Sequence, residues 1–166
     1  MPREKNDKIS IPLTKMNFLV TVDQDGGMAA FSEVTGVEAS VDVAEFRQGN
    51  SNSLATVKIP GLVKHGNVTL KFGCTLDNKF IDWITACVSE MRKGDILKNV
   101  VIELLDISAA APTEVVEATQ GTCLWTLKNA WVAKYSGPDL NSTTGEAAIE
   151  SVELAYEELT MRGKQA

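Results

Sequence analysis

Few residues in this chain of 166 have the types and spacing that chemistry requires. There is one histidine, His65. Nucleophilic catalysis needs a base held by an orienting third group, and a zinc centre needs further nitrogen or sulfur ligands. His65 sits beside Gly66 in a turn-rich stretch without such partners, and reads as an interface or solvent-facing residue. Asp23-Gln-Asp-Gly26 begins like a calcium loop, yet the position where that loop needs a bidentate carboxylate is Val34, so a plain turn is expected. Glu157 and Glu158 are adjacent on a strand, point to opposite faces and cannot share a proton. Gly26-Gly27 and Gly121 open no phosphate-binding helix. Cys74, Cys87 and Cys123 are odd in number and widely spaced, which suits neither a disulfide framework nor a zinc pattern; they are expected as reduced thiols packed like small hydrophobes. Asn67-Val-Thr69 and Asn141-Ser-Thr143 match glycosylation acceptors only formally if the chain folds in the cytoplasm. No catalytic residue, metal ligand or cofactor is expected.

Composition narrows the alternatives. The net charge of −6 argues against nucleic acid as the main partner, because phosphate binding needs a basic face. At 44% hydrophobic and 23% charged, the chain has the balance of an ordinary globular domain. No apolar run approaches the roughly 18–20 residues that span a bilayer, so no membrane anchor is expected. The charged start, Met1-Pro-Arg-Glu-Lys, lacks the apolar stretch of a signal peptide, and assembly in the cytoplasm is expected. Residues 1–15 read as a flexible N-terminal arm, and 16–166 as a single domain.

The elements that would position any site are strands. Phe18, Val20 and Val22 alternate, and Asp25-Gly26-Gly27 predicts a hairpin onward to residues 29–31. In 37–45, Val37, Ala39, Val41 and Val43 are expected to face a core and Glu38, Ser40 and Asp42 water, so that Val41→Lys would abolish folding. Residues 48–53 read as an exposed loop. In 67–73, Val68, Leu70 and Phe72 point inward, which makes 37–73 resemble a hairpin with an elaborate connector. Phe80, Trp83, Ile84, Cys87, Val88 and Met91 recur with helical period, Asp77 serving as N-cap and Gly94 as terminator. Residues 96–106 are apolar on both faces, predicting a strand covered on two sides. From Cys123 to Tyr135 the odd positions, Trp125, Leu127, Asn129, Trp131 and Ala133, are read as one face against Thr126, Lys128 and Lys134. The last strand runs over about 148–159, with Val152, Leu154 and Tyr156 inward. The fold class is mainly β, sandwich- or barrel-like antiparallel sheets of about seven strands with one packed α-helix.

Several of these strands run to about 9–12 residues, and 37–45 and 148–159 carry no proline to blunt an edge. Unpaired backbone groups on such edges invite a second copy, and a ring of copies would leave no edge exposed.

The sequence resembles the inner tube proteins of contractile phage tails and bacterial contractile injection systems. The resemblance is carried by Asn17-Phe-Leu-Val-Thr-Val, Phe31-Ser-Glu-Val-Thr-Gly-Val-Glu-Ala, Glu45-Phe-Arg-Gln-Gly and Pro60-Gly-Leu-Val-Lys-His-Gly-Asn-Val-Thr-Leu-Lys-Phe-Gly. It continues through Phe80-Ile-Asp-Trp, Lys128-Asn-Ala-Trp-Val-Ala-Lys-Tyr-Ser-Gly-Pro-Asp-Leu and Ala148-Ile-Glu-Ser-Val-Glu-Leu-Ala-Tyr-Glu-Glu-Leu. Two features depart from the family pattern: Phe72 stands where a basic residue is usual, and 107–121 is longer than usual.

The resemblance implies a structural subunit, not an enzyme. It implies hexameric rings whose sheets merge into a continuous barrel, stacked into a rigid hollow tube. The implied partners are further copies of the chain, a contractile sheath, a baseplate hub with its spike, a tube terminator and a cargo effector in the channel. Mapped onto this chain, Glu38, Ser40, Asp42, Ser151, Glu153 and Glu157 are expected on the channel wall, interleaved with Thr69, Lys71 and Lys128, which leaves the sign of the wall open. The loop 47–64, with Arg47, Gly49, Asn50, Pro60, Gly61, Leu62 and Lys64, is expected to make ring-to-ring contact. The alternatives are a monomeric β-barrel that binds a small apolar ligand, and a tube-initiating relative in the baseplate.

Overall fold

Antiparallel pairing of alternating segments organises the chain, and a computed structural model describes it over residues 14–23, 31–74, 78–89, 96–105 and 123–163. In chain order the elements are β1 (Phe18–Val22), β2 (Phe31–Thr35), β3 (Ala39–Phe46), β4 (Val57–His65), β5 (Val68–Gly73), α1 (Asn78–Ser89), β6 (Lys98–Leu104), β7 (Cys123–Ser136), β8 (Ile149–Ala155) and β9 (Glu158–Arg162). The strands β1-β6-β7-β8-β5-β2 form one path, with β9 laid along β7; β3 and β4 form a separate two-stranded sheet.

β7 is the spine. Its first part pairs with β6 and β9, and its last part with β8. Trp131 faces Ala155 and Lys128 faces Glu158 in one register, so β8 and β9 are a single long arm interrupted at Tyr156 and Glu157. The core draws on both halves: Val20 and Val22, Val68, Leu70 and Phe72, Val100 and Ile102, Leu127, Ala130 and Val132, Val152 and Leu154. α1 packs on β7 and buries Phe80, Trp83, Ile84 and Cys87, as helical periodicity requires. Phe31, Phe72 and Phe80 meet edge to face with centroids 5.1–5.9 Å apart. The Trp83 indole donates to the Ile96 carbonyl at 2.8 Å, satisfying the polar tip of a buried ring.

The inward residues expected in β5 and β8 are inward, but several expectations need correction. β1 and β2 do not form a hairpin: β1 pairs with β6 and β2 with β5. β6 alternates, with Val100 and Ile102 buried and Val101 and Glu103 half-buried, so it is not covered equally on two sides. Val88 is exposed, because the buried face of α1 centres on Phe80, Trp83, Ile84 and Cys87, with Ile81 on its flank. Along β7 the inward phase changes at Asn129, whose φ of +52° is a left-handed conformation that Asn tolerates better than most residues. Leu127 is inward before it and Ala130 and Val132 after it, so Trp131 and Ala133 fall out of the inward phase; Ala133 is exposed, and Trp131 packs half-buried against the core. Seven of the strands among the described residues make the main antiparallel sheet, as the fold class expects, and β3 and β4 stand beside it. Gly26-Gly27, Asp77, Met91, Gly94 and the 107–121 insertion lie outside the described residues, as does nearly all of the 1–15 arm.

The largest correction concerns β3. It pairs with β4, a stretch whose sequence reads as connector, and every residue of β3 is exposed. Val41 is 49% exposed, so it is not core in the single chain. In the dispersed protein Val41→Lys is expected to change unfolding free energy by no more than about 0.5 kcal/mol, whereas Leu154→Ala is expected to cost about 2–5 kcal/mol. Urea unfolding followed by tryptophan fluorescence checks both; loss of cooperative unfolding in the Val41 variant would return that residue to the core.

Candidate assembly surfaces

The outer face of β2, β5, β8 and the end of β7 is built by strand alternation, with shifts of register between Phe31 and Glu33 and between Val132 and Lys134 bringing the ends of β2 and β7 into phase with it. Leu70, Val152 and Leu154 go inward, so Thr69, Lys71, Ser151 and Glu153 must go outward. Register then sets them in two cross-strand rows: Thr35, Thr69, Glu153 and Lys134 in one, Glu33, Lys71, Ser151 and Ser136 in the other. Each row holds one carboxylate and one ammonium. Lys71 pairs with Glu33 at 2.8 Å and Lys134 with Glu153 at 3.5 Å. Both pairs are largely solvated, so their worth is electrical balance more than stability. Glu33, Thr35, Lys134 and Ser136 were not among the sequence candidates; the signal was their place in alternating strands.

The other candidates do not share this face. Lys128 pairs with Glu158 at 2.9 Å on the β7–β9 half, and Glu157 accepts from the Asn129 side-chain amide at 2.7 Å. Glu38, Ser40 and Asp42 belong to the hairpin and its base, where Lys64 pairs with Asp42 at 2.8 Å.

The hairpin is the second surface. Val41 and Val63 face each other across it, as do Val43 and Pro60, Ala44 and Ile59, and Phe46 and Val57. Directly opposed residues share a face, and alternation puts the first two pairs on one face and the last two on the other. Both faces therefore carry large exposed apolar side chains beside their charged ones, Glu45 and Lys58 on the first and Asp42 and Lys64 on the second; Val43 is 59% and Leu62 76% exposed. Pro60, Gly61, Leu62 and Lys64 lie in β4, not in a loop. Arg47, Gly49 and Asn50 lie in the tip, where the Arg47 guanidinium donates to the Ser53 carbonyl at 3.3 Å.

A small junction aims the hairpin. Gly36 has φ of +86°, and a Cβ there would stand 2.5 Å from the Asn67 carbonyl oxygen. The Tyr156 hydroxyl donates to the Glu38 carbonyl at 3.1 Å, and His65 lies against the Tyr156 ring at 5.1 Å. Burial raises the Tyr156 phenol above its ordinary range, and the bond to Glu38 partly offsets this. Beside the junction, Glu38, Ala39, Ser40, Lys64, His65 and Gly66 line an open depression of about 270 Å³.

Among the described residues no group of His, Cys, Asp and Glu could hold a metal. Asp23 is instead tied to β6, accepting from the Asn99 amide at 3.0 Å. The cysteines are free, but Cys74 is exposed and so is not packed as a hydrophobe. No helix among the described residues is long and apolar enough to cross a membrane.

The model of the family described as T4-like virus tail tube protein gp19 matches residues 14–160. A comparison with curated proteins finds no match. Among solved structures the chain is similar to one in the cryo-EM structure of an extracellular contractile injection system, the PVC sheath/tube terminator in its extended state. That likeness has 25% identity, a TM-score of 0.70, and covers 93% of this chain and 99% of the other. It is similar to a chain of the anti-feeding prophage tube-terminating cap at 24% identity and a TM-score of 0.72, over 98% and 99% of the two chains. It also shares its fold with Hcp1 from Flavobacterium johnsoniae at 14% identity and a TM-score of 0.51, over 88% and 94%.

Gly36→Ala is expected to destabilise the chain by about 1–3 kcal/mol, since the new Cβ meets backbone in a left-handed conformation. Urea unfolding measures it; a variant as stable as the parent would show that the junction yields freely.

Proposed function

We propose, for a chain that belongs to the T4-like virus tail tube protein family, that its copies close into hexameric rings and stack as the rigid inner tube of a contractile injection particle. The observation that carries this reading is the β3–β4 hairpin. A two-stranded sheet alone is marginal in water, and this one has apolar residues on both faces. Each Val, Leu, Ile or Phe fully covered is worth about 1.5–3 kcal/mol, so a neighbour that covers the hairpin gains a large stabilisation. The main sheet supports the same reading. Among the described residues its path runs from β1 to β2 without closing, which leaves strand margins for other copies to complete. An apolar-ligand barrel loses its premise, because the path is open and Phe72, Phe80, Trp83 and Leu127 fill the interior.

In the assembled tube the polar face of β2, β5, β8 and β7 lines the channel, with Thr69, Lys71, Ser151 and Glu153 on the wall. Glu38, Ser40 and Asp42 join that wall where the hairpin extends a neighbour's sheet. The paired rows make the wall close to neutral although the chain carries −6, so cargo passes without strong attraction or repulsion by charge. The hairpin tip with Arg47, Gly49 and Asn50 meets the next ring, and the outer surface meets the sheath. A baseplate hub and a terminator bound the two ends. The subunit's task is mechanical; it assembles in the cytoplasm and leaves as part of the particle.

Val43→Glu and Ile59→Glu place a charge on either face of the hairpin. Each is expected to leave the dispersed chain folded, with a parental thermal transition, and to abolish rings and tubes in negative-stain images and sedimentation. Tubes from both variants at parental yield would refute the reading, as would a parent chain that stays single at high concentration with a nucleating baseplate partner supplied.

A further inference from the structure

One residue on the inward side of β8 differs in kind from its neighbours. Glu150 shares its phase with Val152 and Leu154, pairs across the sheet with Phe72, and is 6% exposed. A buried carboxylate needs a cation or a full set of donors, because its desolvation is otherwise uncompensated. Among the described residues this one has neither. Its Oε2 is buried with no hydrogen-bond partner. The ion pairs among the described residues join Lys64 to Asp42, Lys71 to Glu33, Lys128 to Glu158 and Lys134 to Glu153, and none reaches Glu150.

Two neutral donors stand beside it. Hydrogen bonding to Glu150, then its charge, pushes the Cys74 thiol up; burial first, then the Glu150 charge, pushes the Tyr135 phenol up. Cys74 is exposed and Tyr135 is 42% exposed, so the orphan oxygen lies just beneath a rim open to a neighbour. That rim is where β5 ends at Gly73, β8 begins at Ile149 and β7 ends at Ser136. These are the same strands that present the paired polar face. The hairpin, for its part, carries two cations without a carboxylate partner among the described residues. Lys58 forms no ion pair, and Arg47 donates only to a carbonyl.

Resting on the assembly read above, we infer that this rim is a socket in which Glu150 receives a cation from the β3–β4 hairpin of an adjoining copy, Arg47 or Lys58. The hairpin then docks by charge as well as by apolar contact. The unpaired carboxylate destabilises the lone chain and is satisfied only in the polymer.

Glu150→Gln keeps the shape and one acceptor oxygen but removes the charge, and so separates charge from packing. In the dispersed chain it is expected to raise Tm by about 2–4 °C. In tube growth followed by light scattering and electron microscopy, it is expected to raise the critical concentration about ten-fold or more, the worth of one charge-assisted hydrogen bond. Either Arg47→Gln or Lys58→Gln should raise it similarly without raising Tm, and should add nothing when combined with Glu150→Gln. The inference is overturned if Glu150→Gln lowers Tm, which would mean the carboxylate is satisfied at home. It is also overturned if that variant polymerises like the parent, or if its effect adds fully to those of both cation variants. Parental tubes with such results refute the socket alone; a parent chain that forms no polymer refutes the assembly reading, and the socket with it.

Discussion

Two strands cannot hold themselves against water. That constraint governs the β3–β4 hairpin, and the rest of the structure depends on it. A hairpin usually survives by laying one face on a core and wetting the other. This one cannot, because Val41 and Val63 occupy one face while Ile59, Phe46 and Val57 occupy the opposite one. Whatever covers it must approach from two sides, which suits a position between copies better than a place on the surface of one. The junction at Gly36, Tyr156 and Glu38 gives the hairpin a defined departure from the body, and so lowers the entropy lost when a neighbour receives it.

The body needs no such help. β7 reaches across both halves of the main sheet, and its left-handed Asn129 lets one strand present Leu127 and then Ala130 and Val132 to the same core. A second shift of register, between Val132 and Lys134, then turns Lys134 onto the polar face, where it reaches Glu153. The paired rows on the polar face follow from the same geometry. A position that looks like a local irregularity therefore decides which charges meet on a distant surface.

How much of this was legible follows the physics of each element. Alternation in β5 and β8 and helical period in α1 were readable, because both report on one covered face, and the four buried helix residues were all named. β3 was read correctly as a strand and wrongly as core. Alternation says that two faces differ; it does not say which molecule covers them. β4 was missed because Pro60-Gly61 reads as a break, whereas a proline is tolerated in a strand with a free edge. The phase change at Asn129 could have been suspected from an Asn inside a long strand, since it accepts left-handed backbone more readily than its β-branched neighbours. Of the polar-face candidates, Thr69, Lys71, Ser151 and Glu153 fall on one face, while Glu38, Asp42, Lys128 and Glu157 needed the register that only three dimensions supply.

The residues that fold the chain and those left over for assembly are nearly disjoint sets, and the leftover set is of two kinds. Apolar exposure on the hairpin supplies attraction without direction. Its strength depends on covered area and tolerates small shifts of a neighbour. A buried carboxylate is the opposite: its satisfaction depends on a cation arriving within hydrogen-bonding distance, and a displacement of an ångström or two forfeits it. A tube that must be stiff and repeat its geometry over many rings needs both. Apolar contact alone would let successive rings slip in register, and ion pairs alone would weaken with salt. Placing the carboxylate beneath a rim, partly sheltered by Tyr135, keeps the directional contact out of bulk screening while leaving it reachable from outside. The lone chain is thereby less stable than its core would allow, and the assembled state is favoured by that same difference.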